Sequence, residues 1–119
     1  GEILSLEMLL REYRDNFIIQ ECVEQSEFMA QFNSTSVNTL RIVVYRSVTD
    51  NNLYVTNSIL RIGLKDSVID NAHAGGVFIG IDNNGKLGNV LSNTFGVKQT
   101  IFNGINFKEL GYVTLTTIM

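Results

Sequence analysis

Between Asn38 and Ser92 the chain alternates apolar, β-branched segments with short breaks rich in Asn, Asp and Gly, and this pattern confines it to a sheet-based fold. The segments are LRIVVYRSV (40–48), LYVTNSILRIG (53–63), GGVFIGID (75–82) and KLGNVLS (86–92). Asp50-Asn51-Asn52 and Asp82-Asn83-Asn84-Gly85 sit between apolar runs, where residues that tolerate a left-handed backbone make tight antiparallel hairpins. Proline, the other common turn former, is absent, although average usage predicts roughly six in a chain of this size.

The flanks are less regular. Residues 4–15, LSLEMLLREYRD, gather Leu4, Met8 and Tyr13 near one face, widened by Leu6, Leu9 and Leu10, behind a Ser5 cap: an amphipathic helix. FIIQEC (17–22) predicts a short buried strand, and EQSEFMAQ (24–31) one or two helical turns before the loop Asn33-Ser34-Thr35-Ser36. Residues 93–106 read as loop plus a short strand, and FKELGYVTLTTIM (107–119) begins helix-like and ends β-branched. The expected class is α+β: a small, mostly antiparallel sheet flanked by one or two helices. At 119 residues with 45% hydrophobic content, the chain suffices for one domain over residues 1–119 and one core.

Charge and composition exclude several classes. A net charge of -3 with nine scattered Lys and Arg is not a nucleic-acid surface. No apolar run approaches the roughly 20 residues that span a bilayer. GEILSLEMLL carries two acids and no basic region, so it does not read as a signal peptide. A single cysteine cannot form an internal disulfide, and a reducing cytoplasm is the compartment expected.

The candidate site is the stretch RIGLKDSVIDNAHAGG (61–76), which places a cation, Asp70, Asn71, the sole histidine His73, and Gly75-Gly76 between two strands. A polar, glycine-hinged loop is costly to bury and more often holds a ligand than a core. In 40–46, Arg41, Val43 and Tyr45 share one strand face, opposite Leu40, Ile42, Val44 and Arg46. Pairing through the 49–53 turn brings Arg41 and Arg61 to the same end of the hairpin, presenting two cations. The plainer readings are an exposed edge charge for Arg41, a solvated polar residue for His73 and a strand-entry turn for the glycines. Cys22 with His73 lacks an orienting group, so Cys22 reads as a small buried hydrophobe.

SVNTLRIVVYRS (36–47), ILRIG (59–63), DNAHAGG (70–76) and GIDNNGKL (80–87), preceded by IIQECVEQ (18–25), resemble the sugar-transfer-associated ATP-grasp family, also labelled hexapeptide-transferase family proteins. The likeness covers about residues 17–110 and is carried most specifically by NTLR together with DNxHAGG. The order Arg, Arg, then Asn before Gly-Gly is more distantly similar to ribosomal-protein glutamate ligases.

The resemblance implies activation of a carboxylate by ATP to an acyl phosphate, followed by attack of an amine or another nucleophile. It implies ATP and Mg2+ as cofactors, small carboxylate and amine substrates, and a link to polysaccharide or sugar-transfer metabolism. Residue by residue, Gln20, Glu21, Cys22 and Val23 would be the hinge meeting the adenine edge, and Glu24 would meet the ribose. Arg41 and Arg61 would face the phosphates or the acyl phosphate, while Asn71 and His73, with Gly75 and Gly76, would close over them. Asp70 is the acid retained as a magnesium or acceptor contact, since turns account for Asp66 and Asp82. The family's phosphate-binding lysines and its Glu-x-Asn magnesium strand have no counterpart here, so the chain is expected to be the central to C-terminal part of a grasp domain, inactive by itself. Two alternatives differ in class. One is a hexapeptide-type acyltransferase, which the missing six-residue period disfavours. The other is a non-catalytic β-rich module that self-associates through exposed sheet edges.

Overall fold

The structure is a computed structural model, and it describes residues 4–110. Two helices, α1 (Leu6–Tyr13) and α2 (Glu27–Ala30), precede a sheet of β1 (Thr39–Arg46), β2 (Leu53–Ile62), β3 (Val77–Ile81), β4 (Leu87–Ser92) and β5 (Lys98–Gln99). All neighbours in this sheet are antiparallel and follow sequence order. A short ribbon of β6 (Ile101–Phe102) and β7 (Ile105–Asn106) stands apart. The fold is α+β, as the patterning predicts, and both Asn-rich breaks are hairpin turns. Asn51 takes φ 61° in the first and Gly85 φ 77° in the second. In the second, the Asp82 carboxylate accepts from the Asn84 and Lys86 backbone N–H groups, so this acid is a turn former.

Strand alternation divides the sheet into two unlike faces. On one, Leu60 and Ile62 of β2, Val77 and Ile79 of β3, and Leu87 and Leu91 of β4 are buried together with Met29 and Phe32 from the α2 region, Phe102 of the ribbon and Phe107 just after it. Phe32 lies parallel to Phe107 at 6.1 Å and edge-on to Phe28 at 6.0 Å, so an aromatic layer closes this side. The opposite face carries Thr39, Arg41, Ile59, Arg61, Phe78, Gly80, Ser92 and Lys98, and none of these belongs to the core.

The β1–β2 hairpin outruns its neighbours, because β3 pairs only with Ser58 to Ile62. Beyond a bulge at Val43/Val44 its residues are bare on both sides, including Val43, Val44, Leu53 and Val55. Tyr45 and Tyr54 stack across the strands at 5.5 Å. The Tyr54 hydroxyl donates to Asp50, and that bond, with the Asn52 backbone N–H, lowers the Asp50 pKa to about 2.

Helix α1 forms with the expected cap, the Met8 N–H donating to Ser5 Oγ at 3.2 Å, yet it buries no residue. Leu4, Leu6, Leu10 and Tyr13 are exposed. Helix α2 is a single turn capped by Ser26. The expected strand at 17–22 is not formed: the segment has no regular structure, and Ile18 and Ile19 are 84% and 72% exposed. Its β-branched residues meet no neighbouring strand among the described residues, and an unpaired strand has no ladder to hold it. Cys22 is likewise exposed rather than buried. The expected helix-like start of 107–119 is a turn at 107–109, where Glu109 N–H donates to Asn106 O; the β-branched end lies outside the described residues.

What fixes the start of β1 is a buried amide network in the stretch that reads as a polar loop. Asn33, Ser36 and Asn38 are buried. Asn38 donates to the carbonyls of Met29 and Asn33, each at 2.9 Å, and accepts from Ser36 Oγ and from the Gly63 N–H. Asn33 donates to the Gly63 and Leu64 carbonyls, and Asn103 adds a second bond to Gly63 O at 2.9 Å. No buried side-chain donor or acceptor among the described residues is left unpaired. A Cβ on Gly63 would lie 2.5 Å from Ser36 Oγ, so the network closes only around a glycine.

Candidate functional site

Asn38 sets the phase of everything that follows it in β1. With Asn38 held inward, Thr39 and Arg41 fall on the open face and Leu40 on the core side. Thr39 lies opposite Arg61, and Arg41 opposite Ile59. The two arginines share one end of the hairpin, as counting from the turn requires, and they share one face, a diagonal step apart, because the bulge at Val43/Val44 shifts the register by one residue. Arg61 Nη2 is 3.3 Å from Asp70 Oδ1, and Thr39 Oγ1 donates to Asp70 Oδ2. Both oxygens of Asp70 are thus engaged, and its role is to hold the Arg61 guanidinium. Arg41 is exposed and makes no hydrogen bond or ion pair with any described residue.

Asp70 opens the turn that carries the other candidates. Asn71 caps the short 3-10 turn Ala72–Ala74: its Oδ1 accepts from the His73 N–H at 3.2 Å, and its carbonyl accepts from Ala74 and Gly76. The Asn71 side chain shapes the loop. His73 is exposed beside it. Gly75 takes φ 89°, and a Cβ on Gly76 would lie 2.7 Å from Asp70 O, so both glycines are demanded by the turn and the strand entry. Thr94 Oγ1 donates to Ala72 O at 3.3 Å, tying the β4–β5 turn to this loop.

Of the segment 20–24, Gln20, Glu21, Cys22, Val23 and Glu24 are all exposed. The next residue anchors it, because Gln25 Oε1 accepts from the Asn38 N–H. The segment therefore ends beside the β1 start, next to Thr39.

Each Asp70 oxygen has one partner, Arg61 or Thr39, and no group of three or more His, Cys, Asp or Glu side chains gathers among the described residues, so Asp70 would supply at most one ligand to a magnesium ion held chiefly by phosphates and water. A groove of about 670 Å³ lies at the far end of β3, lined by Gly80, Asp82, Lys86, Gly88, Phe107 and Lys108. Gly80 alone is common to that groove and the open face.

Sequence reasoning missed Thr39, which orients the Asp70 carboxylate, and the amides of Asn33, Asn38 and Asn103, which set its position. The NTLR motif held the signal for the first: a hydroxyl two residues from an arginine in a strand sits on the side of the sheet that the arginine uses.

The chain is an α+β domain with one sealed sheet face and one open face that carries a paired and an unpaired arginine beside a Gly-Gly loop. It belongs to the sugar-transfer associated ATP-grasp family, whose sequence model matches residues 2–103. No curated protein and no solved structure matches it. No helix among the described residues is long and apolar enough to cross a membrane.

Proposed function

We propose that the open face binds the phosphates of ATP, as part of an ATP-grasp ligase that joins a carboxylate to an amine or related nucleophile in sugar-transfer metabolism. The observation that carries this reading is the unequal treatment of two arginines on one face. Asp70 and Thr39 hold Arg61 in a fixed direction, while Arg41 is left with its charge unneutralised. A guanidinium pinned on one side by a carboxylate still presents donors on the other, and a neighbouring unpaired cation supplies the charge that phosphate oxygens need.

In the reaction so proposed, a carboxylate oxygen attacks the γ-phosphorus and ADP leaves. The nucleophile then attacks the acyl carbon and inorganic phosphate leaves. Arg41 and Arg61 contribute charge neutralisation and positioning, which make up most of the protein's work in phosphoryl transfer. Residues 20–23 would meet the adenine edge and Glu24 the ribose, a placement favoured by the Gln25 tether beside Thr39. His73, at the rim of the loop, would brace the phosphates or the acceptor. Asp70 would contribute at most one of a magnesium ion's ligands. Calorimetry with ATP tests the reading: Arg41→Ala should weaken binding by roughly tenfold, the effect of losing one charge-assisted contact. Equal affinity in the variant contradicts it.

The bare apolar hairpin tip and α1 face favour a second reading, a self-associating module. An oligomer on size-exclusion chromatography that is indifferent to nucleotide would support it. The antiparallel pairing of the whole five-stranded sheet gives the hexapeptide-repeat alternative no parallel coil to build on.

A further inference from the structure

The pairing of β2 to β5 lines up Arg61, Phe78, Ser92 and Lys98 as one row across the open face. Lys98 is exposed and, like Arg41, makes no ion pair or hydrogen bond with any described residue. Three strand spacings separate its Cα from that of Arg61, about 14 Å. With the Arg61 guanidinium held by Asp70, only the Lys98 side chain is free to lean in above Phe78 and Ser92, so a short polyanion rather than a single phosphate group bridges the two heads. The Thr94 bond to Ala72 holds the turn before Lys98 against the His73 loop, so this cation belongs to the same end of the sheet as Asp70.

We propose that Lys98 is a third phosphate-binding cation and that the phosphate chain of the ligand lies across the strands, from Arg41 and Arg61 toward Lys98. This rests on the reading of the open face as a phosphate site and adds the direction of the ligand and its far contact. The ligand class is a linear polyphosphate ester, and length of the chain is what Lys98 senses.

The test is calorimetry of the full chain with three probes: orthophosphate, pyrophosphate and tripolyphosphate. The intact protein should bind more tightly as the chain lengthens. Lys98→Ala should lose roughly tenfold for tripolyphosphate and nothing for orthophosphate, which reaches only the arginine end. Tripolyphosphate binding by Lys98→Ala that equals the parent's overturns the inference while leaving the arginine site standing. No binding of any probe by the intact protein, with Arg41→Ala identical to it, brings down the phosphate reading and this inference together.

Discussion

Leu60 and Arg61 are adjacent in β2, yet they lie in different worlds: Leu60 is 0% exposed under the Phe32 and Phe107 layer, while Arg61 faces the Asp70 turn on the unsealed side. The same contrast runs through β3, where Val77 and Ile79 are core while Phe78 and Gly80 are not. One face is specified by volume and apolar area, the other by charge and by what is left off the backbone. The division of labour follows from the period of two, which lets a single strand serve packing and binding without compromise.

The largest effect should come from the sealed face. Leu60→Ala is expected to cost about 2–5 kcal/mol, as for other fully buried leucines, and Ile59→Ala clearly less. Urea denaturation of the two variants measures the gap, and equal losses would erase the distinction between the faces.

Next comes the network that sets which face is which. Asn38→Ala removes two donated and two accepted bonds and leaves the Met29 and Asn33 carbonyls unpaired, at a cost of about 1–3 kcal/mol. Because it also frees the start of β1, it should weaken ATP binding as well as stability, whereas Ile59→Ala should leave Arg41 and Arg61 in place. A variant that loses stability but binds as before would show that Asn38 does not position Thr39.

The smallest effect belongs to the hairpin tip, beyond the sheet's shared core. The Tyr54 hydroxyl favours the ionised form of Asp50 and holds its pKa down to about 2. A carboxyl depressed in the folded state contributes order that is present above its ordinary pKa of about 3.9 and lost as pH falls through 2. An NMR titration should therefore place the Asp50 midpoint near 2, and Tyr54→Phe should raise it toward the ordinary value. Both changes should be local, leaving the melting of the core side unaltered.

What could be seen in the sequence follows the same division. Strands β1 to β4 and their turns were legible because alternating apolar residues and Asn-rich breaks act over a few neighbours, and counting placed Arg41 and Arg61 at one end of the hairpin, whereas their shared face depends on the bulge at Val43/Val44. The expected strand at 17–22 failed because β-branched residues state a preference that only a partner strand can satisfy. Asp70 was singled out as a metal or acceptor contact, and its contacts with Thr39, 31 residues earlier, and with Arg61 across the loop were not legible because they join distant segments. Asn33 and Asn38 looked like loop because polar residues signal burial only once their acceptors, the Met29 and Gly63 backbone among them, are in place. Lys98 escaped notice because β5 is two residues long and carries no periodicity to read.

Assignment of ATP-induced shifts at arginine Nε–Hε groups and side-chain methyls addresses the central claim most directly, because it reports each face separately. Saturable movement at Arg41, Arg61 and the Ile59 methyls, with the methyls of Leu60 and Ile79 still, is the result the account predicts. Saturable binding that shifts core-side methyls or the hairpin tip while both guanidinium signals stay fixed would contradict it.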